Sequence, residues 1–532
     1  MEAVAELTAP ASTAHILFVT FTGQGHLNPF LRFAKSVAAK GADVTFSSVA
    51  DAGSRIREAT KSSPAAAAAA DGTFIPLGAG RIRFEFFSDG WEVGDPRRYE
   101  LDLYMPQLRD VGSKEVAALI RRQADLGRPV ACVVGNPFIP WVLGVAAGMG
   151  IPRAVLWVQS AAVFSAYYHY QKGLAEFPSD AGQDVSMVLP GSPPCDGTRC
   201  PRSSSRQPLP LPHQADWVFL NTFEEIESAS IEGISQYLPV IPVGPLVDLP
   251  VTEAVRGDLW KAADCVGWLD AQEPGSVVYA SVGSVVVLSA EVVVELAEGL
   301  RGSGQPFLWV VRNDARAMLP EGFEEEVAGR GLVVQWSPQE TVLRHPSTAC
   351  FLTHCGWNST LESLTSGVPA IAFPSGETRS RTPSSSWRSS RWGPSATPAR
   401  APSFTREDVQ RTVEEVVRGP RAEKMRANAA RLKELANGAV AQGGSSDRNI
   451  QFFMEEVRRR GGPSAGRMTV HAPEGVRVET INPFSPNLRL LGISLSLSLS
   501  LSPARNRETW VRGKSTTCVI WEGFLMFIIG LL

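Results

Sequence analysis

WSPQETVLRHPSTACFLTHCGWNSTLESLTSGVPAIAFP, from Trp336 to Pro374, is the stretch whose reading decides the fold. Inside it, TACFLTH is an apolar, β-prone run of strand length. NSTLESLTSG follows with helical spacing and stops on a glycine. A buried strand that runs straight into a helix is half of a βαβ unit. Upstream the same alternation repeats: SVVYASVGS (Ser276–Ser284), the helix AEVVVELAEGLRGSG, then the strands PFLWVVR and LVVQW.

Further toward the N-terminus a separate run of the same kind begins. His15–Phe21 is a strand, TGQGHLNP a Gly-rich turn, FLRFAKSVAAKG a helix and ADVTFSSVA a second strand. VACVVG (Val130–Gly135), a helix through Trp141–Met149, AVLWVQS (Ala154–Ser160), DWVFLNTF (Asp216–Phe223) and PVIPVGP (Pro239–Pro245) continue it. The fold class is therefore α/β, with two Rossmann-like domains whose parallel sheets face a cleft. The expected bounds are 14–248 for the first, 249–257 for a polar, Pro-containing linker and 258–460 for the second. Residues 461–532 lose the α/β pattern and read as a low-complexity, disordered tail, including the Ser-Leu tract Ser494–Ser502.

Composition removes several classes of function. Lys+Arg (51) and Asp+Glu (54) nearly cancel, so no basic excess points to nucleic acid. Seven scattered cysteines, with no CxxC pair, argue against zinc ribbons and a disulfide framework. The N-terminus has no basic segment before its apolar run, and Phe524–Leu532 is too short to span a bilayer. The expectation is a cytoplasmic, monomeric protein with no membrane or nucleic-acid partner.

The stretch from Trp336 to Pro374 resembles the donor-binding signature of plant secondary-product UDP-glycosyltransferases. GQGHLNP, GNPFIPW and GGSSDRNIQ (Gly443–Gln451) resemble the subgroup that forms glucose esters of hydroxycinnamic, benzoic, limonoid and indole-acetic acids. The resemblance covers roughly residues 14–460 and implies the GT-B fold, with acceptor held by the first half and UDP-sugar by the second. It implies an inverting transfer from UDP-glucose as co-substrate, with no metal and no other cofactor.

The residues suit that chemistry. His354 closes a strand, and Asn358 and Ser359 open a helix whose free N–H groups and positive dipole end favour a diphosphate. Trp336 offers a flat face to uracil, and Glu362 can accept hydrogen bonds from ribose hydroxyls. The resemblance adds Gln339 beside the nucleoside, Trp357 beside the sugar and Ser284 as a phosphate contact. It makes His26, on the turn after the first strand, the general base for the acceptor. Many relatives orient this His with an Asp; here the matching residue is Asn136, which cannot stabilise an imidazolium by charge. A carboxylic acid acceptor, with a pKa of about 4, is already ionised at neutral pH and needs little from a base.

Two segments depart from the pattern. After Pro374 the family expects QWGDQV, whose Asp-Gln pair holds the sugar hydroxyls; that pair falls on Thr378 and Arg379. An arginine has donors only. Codons for QWGDQV, read after loss of one base, give SGETR and then Ser, which matches Ser375–Ser380. The family pattern resumes at about Phe404, so a compensated one-base deletion, or an equivalent sequence error, accounts for Ser375–Ser403. Pro194–Gln214 replaces an apolar segment in the same way. The alternative to an active transferase is an impaired product that binds UDP without turnover, or misfolds.

Overall fold

The computed structural model describes residues 13–59, 72–174, 215–248, 259, 263–283, 286–373 and 405–461. The expected linker, the two departing segments with Thr378 and Arg379, Ser284 and the tail after 461 lie outside the described residues.

Thirteen strands form two sheets among the described residues. The first has eight strands: β1 (His15–Val19), β2 (Asp43–Ser47), β3 (Ile75–Leu77), β4 (Gly80–Phe84), β5 (Cys132–Gly135), β6 (Arg153–Trp157), β7 (Trp217–Leu220) and β8 (Ile241–Pro242), in the order β3-β4-β2-β1-β5-β6-β7-β8. The second has β9 (Val277–Ser281), β10 (Phe307–Val310), β11 (Gly331–Val334), β12 (Thr348–Thr353) and β13 (Ala370–Ala372), in the order β11-β10-β9-β12-β13. This is the expected α/β architecture of two Rossmann-like sheets.

Parallel sheets are covered on both faces, so their strands are apolar throughout. In the second sheet Val278, Ala280, Phe307, Trp309, Cys350 and Leu352 build one core. Their chain neighbours Val277, Tyr279, Leu308, Val310 and Phe351 build the core on the opposite face.

Two details differ from the sequence reading. The pair β3–β4 is antiparallel, while every other strand pair among the described residues is parallel. The segment carries a Pro and two Gly, which hid it as a strand pair. At the turn, Gly78 has φ +59°, and a Cβ there would lie 2.6 Å from the Ala39 carbonyl oxygen, so only glycine fits. The last of the described helices, Ser445–Gly461, belongs by chain order to the second half but packs on the first sheet. Its Ile450, Phe453, Met454 and Val457 join that core, with Phe453 edge-on to Trp217 and Phe219. Burying four large side chains at about 1.5–3 kcal/mol each outweighs any preference set by chain order.

Where the family-like pattern resumes, Thr405 caps the helix Arg406–Val417 in a capping box with Asp408. Val409, Val413 and Val416 of that helix pack onto the second sheet. Among the described residues no helix is long and apolar enough to cross a membrane.

Candidate active site

In an open α/β sheet the ligand crevice lies beyond the strand C-termini, where strand order reverses. The first sheet reverses between β1 and β5, whose ends Val19 and Gly135 are paired. The first turn of the helix after β1 carries His26, and the loop after β5 carries Asn136. The second sheet reverses between β9 and β12, paired at Ser281 and Thr353. The loops that follow carry Gly283 and His354. Both candidate sites are therefore placed by topology before any side chain is considered.

His26 lies in the first turn of helix Gln24–Ala39, half-buried. Its Nδ1 is 3.1 Å from the Asn136 side-chain nitrogen. Phe21 and Phe138 both meet the imidazole edge-on, at 5.6 and 4.4 Å between centroids. Burial among these rings lowers the His26 pKa to about 4.

On the facing side, His354 follows β12 and is clasped between two glycines. A Cβ on Gly283 or on Gly356 would stand 2.5 Å from its ring. Its Nδ1 is enclosed and has no hydrogen-bond partner among the described residues. Burial lowers its pKa to about 4. The next residue, Cys355, has φ +57°, a conformation that costs a non-glycine residue roughly 1–2 kcal/mol. That turn leads into the helix Trp357–Ser366.

The structure brings Gln339, Ser359 and Glu362 together. Gln339 donates to the Glu362 carboxylate at 2.6 Å and lies 3.0 Å from the Ser359 hydroxyl, while its own carbonyl accepts from Tyr279 at 3.1 Å. Trp336 is half-buried beyond the end of β11, next to Ser337, which bonds the same Tyr279 hydroxyl. Trp357 opens the helix Trp357–Ser366. Its indole is buried against Phe223 and Ile226, and donates to the Asn221 carbonyl at 2.6 Å. Asn358 reaches the Gly25 carbonyl at 2.9 Å, one residue from His26.

One part of the site was not legible in sequence. Arg32, on the same helix as His26, is buried against Glu362. It contacts Glu362 at 2.8 Å, Asp248 at 3.2 Å and also Glu340. Lys35 pairs with Asp248, and Arg344 with Glu340 at 2.7 Å, giving three cations and three carboxylates. Burial opposes charge on Arg32, but Glu340, Glu362 and Asp248 together hold its pKa above the ordinary arginine value. Burial pushes the Glu340 carboxyl up to about 7, against the pull of Arg32. Arg32 reads in sequence as one more charge on a helix, because its partners lie more than 200 residues away. Among the described residues, no group of three or more His, Cys, Asp or Glu side chains converges as a metal site would.

Two expected results follow from this geometry. Gly283→Ala forces a Cβ onto His354 at a backbone φ of +79°. UDP affinity, read by titration calorimetry, is expected to fall by at least about tenfold, the equivalent of about 1.4 kcal/mol. Acid sensitivity is the second. His26 and His354 stay neutral in the folded chain down to about 4, whereas the unfolded chain binds their protons from about 6.5. The unfolded state thus holds more protons within that window. Their contribution is complete above pH 6.5 and is lost as pH falls toward 4. Urea midpoints measured across that range are expected to drop, and to drop less steeply in His354→Gln.

Two facing Rossmann-like sheets, with a polar cluster and a helix N-terminus at one switch point and an aromatic-framed histidine at the other, define a nucleotide-sugar-dependent transferase of the GT-B class. Residues 261–462 match the family described as UDP-glucoronosyl and UDP-glucosyl transferase. The chain is 44% identical to gallate 1-beta-glucosyltransferase of Quercus robur, over 86% of this chain and 92% of that protein. It is 42% identical to cinnamate beta-D-glucosyltransferase of Fragaria ananassa, over 84% and 83%. Os79 from O. sativa in complex with UDP superposes with a TM-score of 0.64 at 27% identity, covering 83% of this chain and all of that one. The chain belongs to the UDP-glycosyltransferase family, and it is an enzyme of that family.

Proposed function

We propose that this chain transfers glucose from UDP-glucose to the carboxylate of a small aromatic acid, giving a glucose ester with inversion at the anomeric carbon. The observation that carries this reading is the acceptor-side frame: a neutral His26 held by Asn136 and flanked edge-on by Phe21 and Phe138. Phe21 and Phe138 are themselves stacked at 5.9 Å, an apolar wall suited to a planar ring. The gallate and cinnamate glucosyltransferases among its relatives support the same class of acceptor.

In this reading Trp336 faces uracil, and Gln339 and Glu362 receive the ribose. His354, Asn358, Ser359 and Ser284 meet the diphosphate. The acceptor carboxylate attacks C1 of glucose. The C1–O bond to UDP breaks, and its electron pair leaves with the diphosphate toward the start of helix Trp357–Ser366. Charge moves from carboxylate to UDP, with no proton transfer and no metal. Holding both partners in line between the two sheets supplies much of the rate. The chain acts as a cytoplasmic monomer.

The test is to incubate the full chain with UDP-glucose and cinnamic acid in the presence of EDTA. A product of ester mass that is cleaved by mild alkali supports the proposal. Absence of product above the enzyme-free control refutes it.

A further inference from the structure

Asn136 does more than replace a carboxylate beside His26. Its side-chain oxygen accepts from the Phe138 backbone N–H at 2.9 Å. A backbone N–H can only meet an oxygen, so the amide orientation is fixed. Its nitrogen then faces Thr20 Oγ1 at 3.4 Å and His26 Nδ1 at 3.1 Å. Thr20 is consistent with this, because its hydroxyl proton is spent on the Phe21 carbonyl at 3.3 Å. The buried Asn136 is thus a donor to His26 Nδ1.

The consequence for the imidazole is direct. A neutral ring has one N–H and one lone pair. The lone pair must sit on Nδ1 to accept from Asn136, so the proton sits on Nε2. Protonating Nδ1 would set two donors against each other at 3.1 Å. An Asp at this position would do the opposite: it would accept Nδ1–H and leave Nε2 bare as a base.

We propose that His26 meets the acceptor through Nε2–H as a hydrogen-bond donor, not as a general base, and thereby selects acceptors that arrive already ionised. The inference rests on the proposed function and refines it. A carboxylate oxygen can accept from Nε2–H while its other oxygen attacks C1. A phenol or alcohol, which must lose a proton, finds no free basic nitrogen on His26. The Phe138 N–H therefore acts through Asn136 as a positioning group for acceptor choice.

The experiment has a spectroscopic and a kinetic arm. The full chain is labelled with 15N-histidine, and the His26 signal is assigned by its loss in His26→Gln. Long-range proton–nitrogen correlation at pH 7 then reports which ring nitrogen carries the proton. The expected result is Nε2–H in the native chain and Nδ1–H in Asn136→Asp. A native ring protonated on Nδ1, or on both nitrogens, overturns the proposal. That measurement on the native chain decides the point even where Asn136→Asp does not fold.

In the kinetic arm, His26→Gln keeps an N–H donor but no base, whereas His26→Ala keeps neither. Transfer to cinnamate is expected to be about tenfold faster in His26→Gln than in His26→Ala, the size of one hydrogen bond to a charged group. Equal rates would overturn the donor role. Where Asn136→Asp folds, its preference for a phenol over a carboxylate is expected to rise by about tenfold or more. A native chain with no transfer at all refutes the proposed function, and the nitrogen shifts still decide the tautomer.

Discussion

Replacing Ser375–Arg379 with Gln-Trp-Gly-Asp-Gln is expected to raise kcat/KM for UDP-glucose by about 10²–10⁴. The pair of residues at positions 378 and 379 is expected to read the sugar hydroxyls, and Thr378 and Arg379 do not supply a carboxylate and an amide there. Two hydrogen bonds to a charged or polar pair, at about 1.5–3 kcal/mol each, give that range. The nucleotide end of the site is untouched by the replacement. UDP affinity should therefore change by less than about threefold, well under one hydrogen bond. Steady-state kinetics with UDP-glucose, alongside calorimetry with UDP, checks both halves. An unchanged kcat/KM would mean that the native segment already supports the sugar.

Arg32→Met carries the second large effect, and it acts on stability. It leaves Asp248, Glu340 and Glu362 with Lys35 and Arg344 as the paired cations among the described residues. Removing one member of a buried ion pair typically costs about 3–5 kcal/mol, because the partner charges stay buried. Arg32 is well under a tenth exposed, as is Glu362, so solvent does little to screen the loss. Urea denaturation is expected to show a decrease of that size, a third or more of a typical domain's stability. Glu340→Gln in the same chain removes one of the stranded carboxylates and should recover part of it. A loss below about 1 kcal/mol would show that the cluster behaves like a surface ion pair.

Much of the fold was legible because parallel strands buried on both faces are apolar runs. Val277–Ser281, Phe307–Val310 and Thr348–Thr353 announce themselves in that way. The hairpin β3–β4 did not, since Gly78 lies against Ala39 and Gly80 against Ala38 and Ala42, at the expense of strand composition. Nor did the return of Ser445–Gly461 to the first sheet, which is decided by Phe453 meeting Phe33, Trp217 and Phe219.

The candidate site divides along a similar line. His26, Asn136, His354 and Glu362 could be named from residue type, spacing and family pattern. What surrounds them depends on contacts distant in sequence. The Arg32 cluster joins residues 32, 248, 340 and 362, and no local pattern reports it. The tautomer of His26 depends on a single backbone N–H at Phe138, which every non-proline residue carries and which composition cannot reveal. Trp357 shows the same. Its place in the motif does not reveal that its indole is buried beside Phe223 and donates to the Asn221 carbonyl.

Gallic acid offers a carboxylate and phenolic hydroxyls in one molecule, so it separates the proposed transfer to a carboxylate from transfer to a hydroxyl. The full chain, UDP-glucose and gallic acid are incubated, and the product is located by mass spectrometry and carbon NMR. A single β-linked glucose on the carboxylate, labile to mild alkali, is expected. Glucose on a phenolic oxygen, or no product above the enzyme-free control, would contradict it.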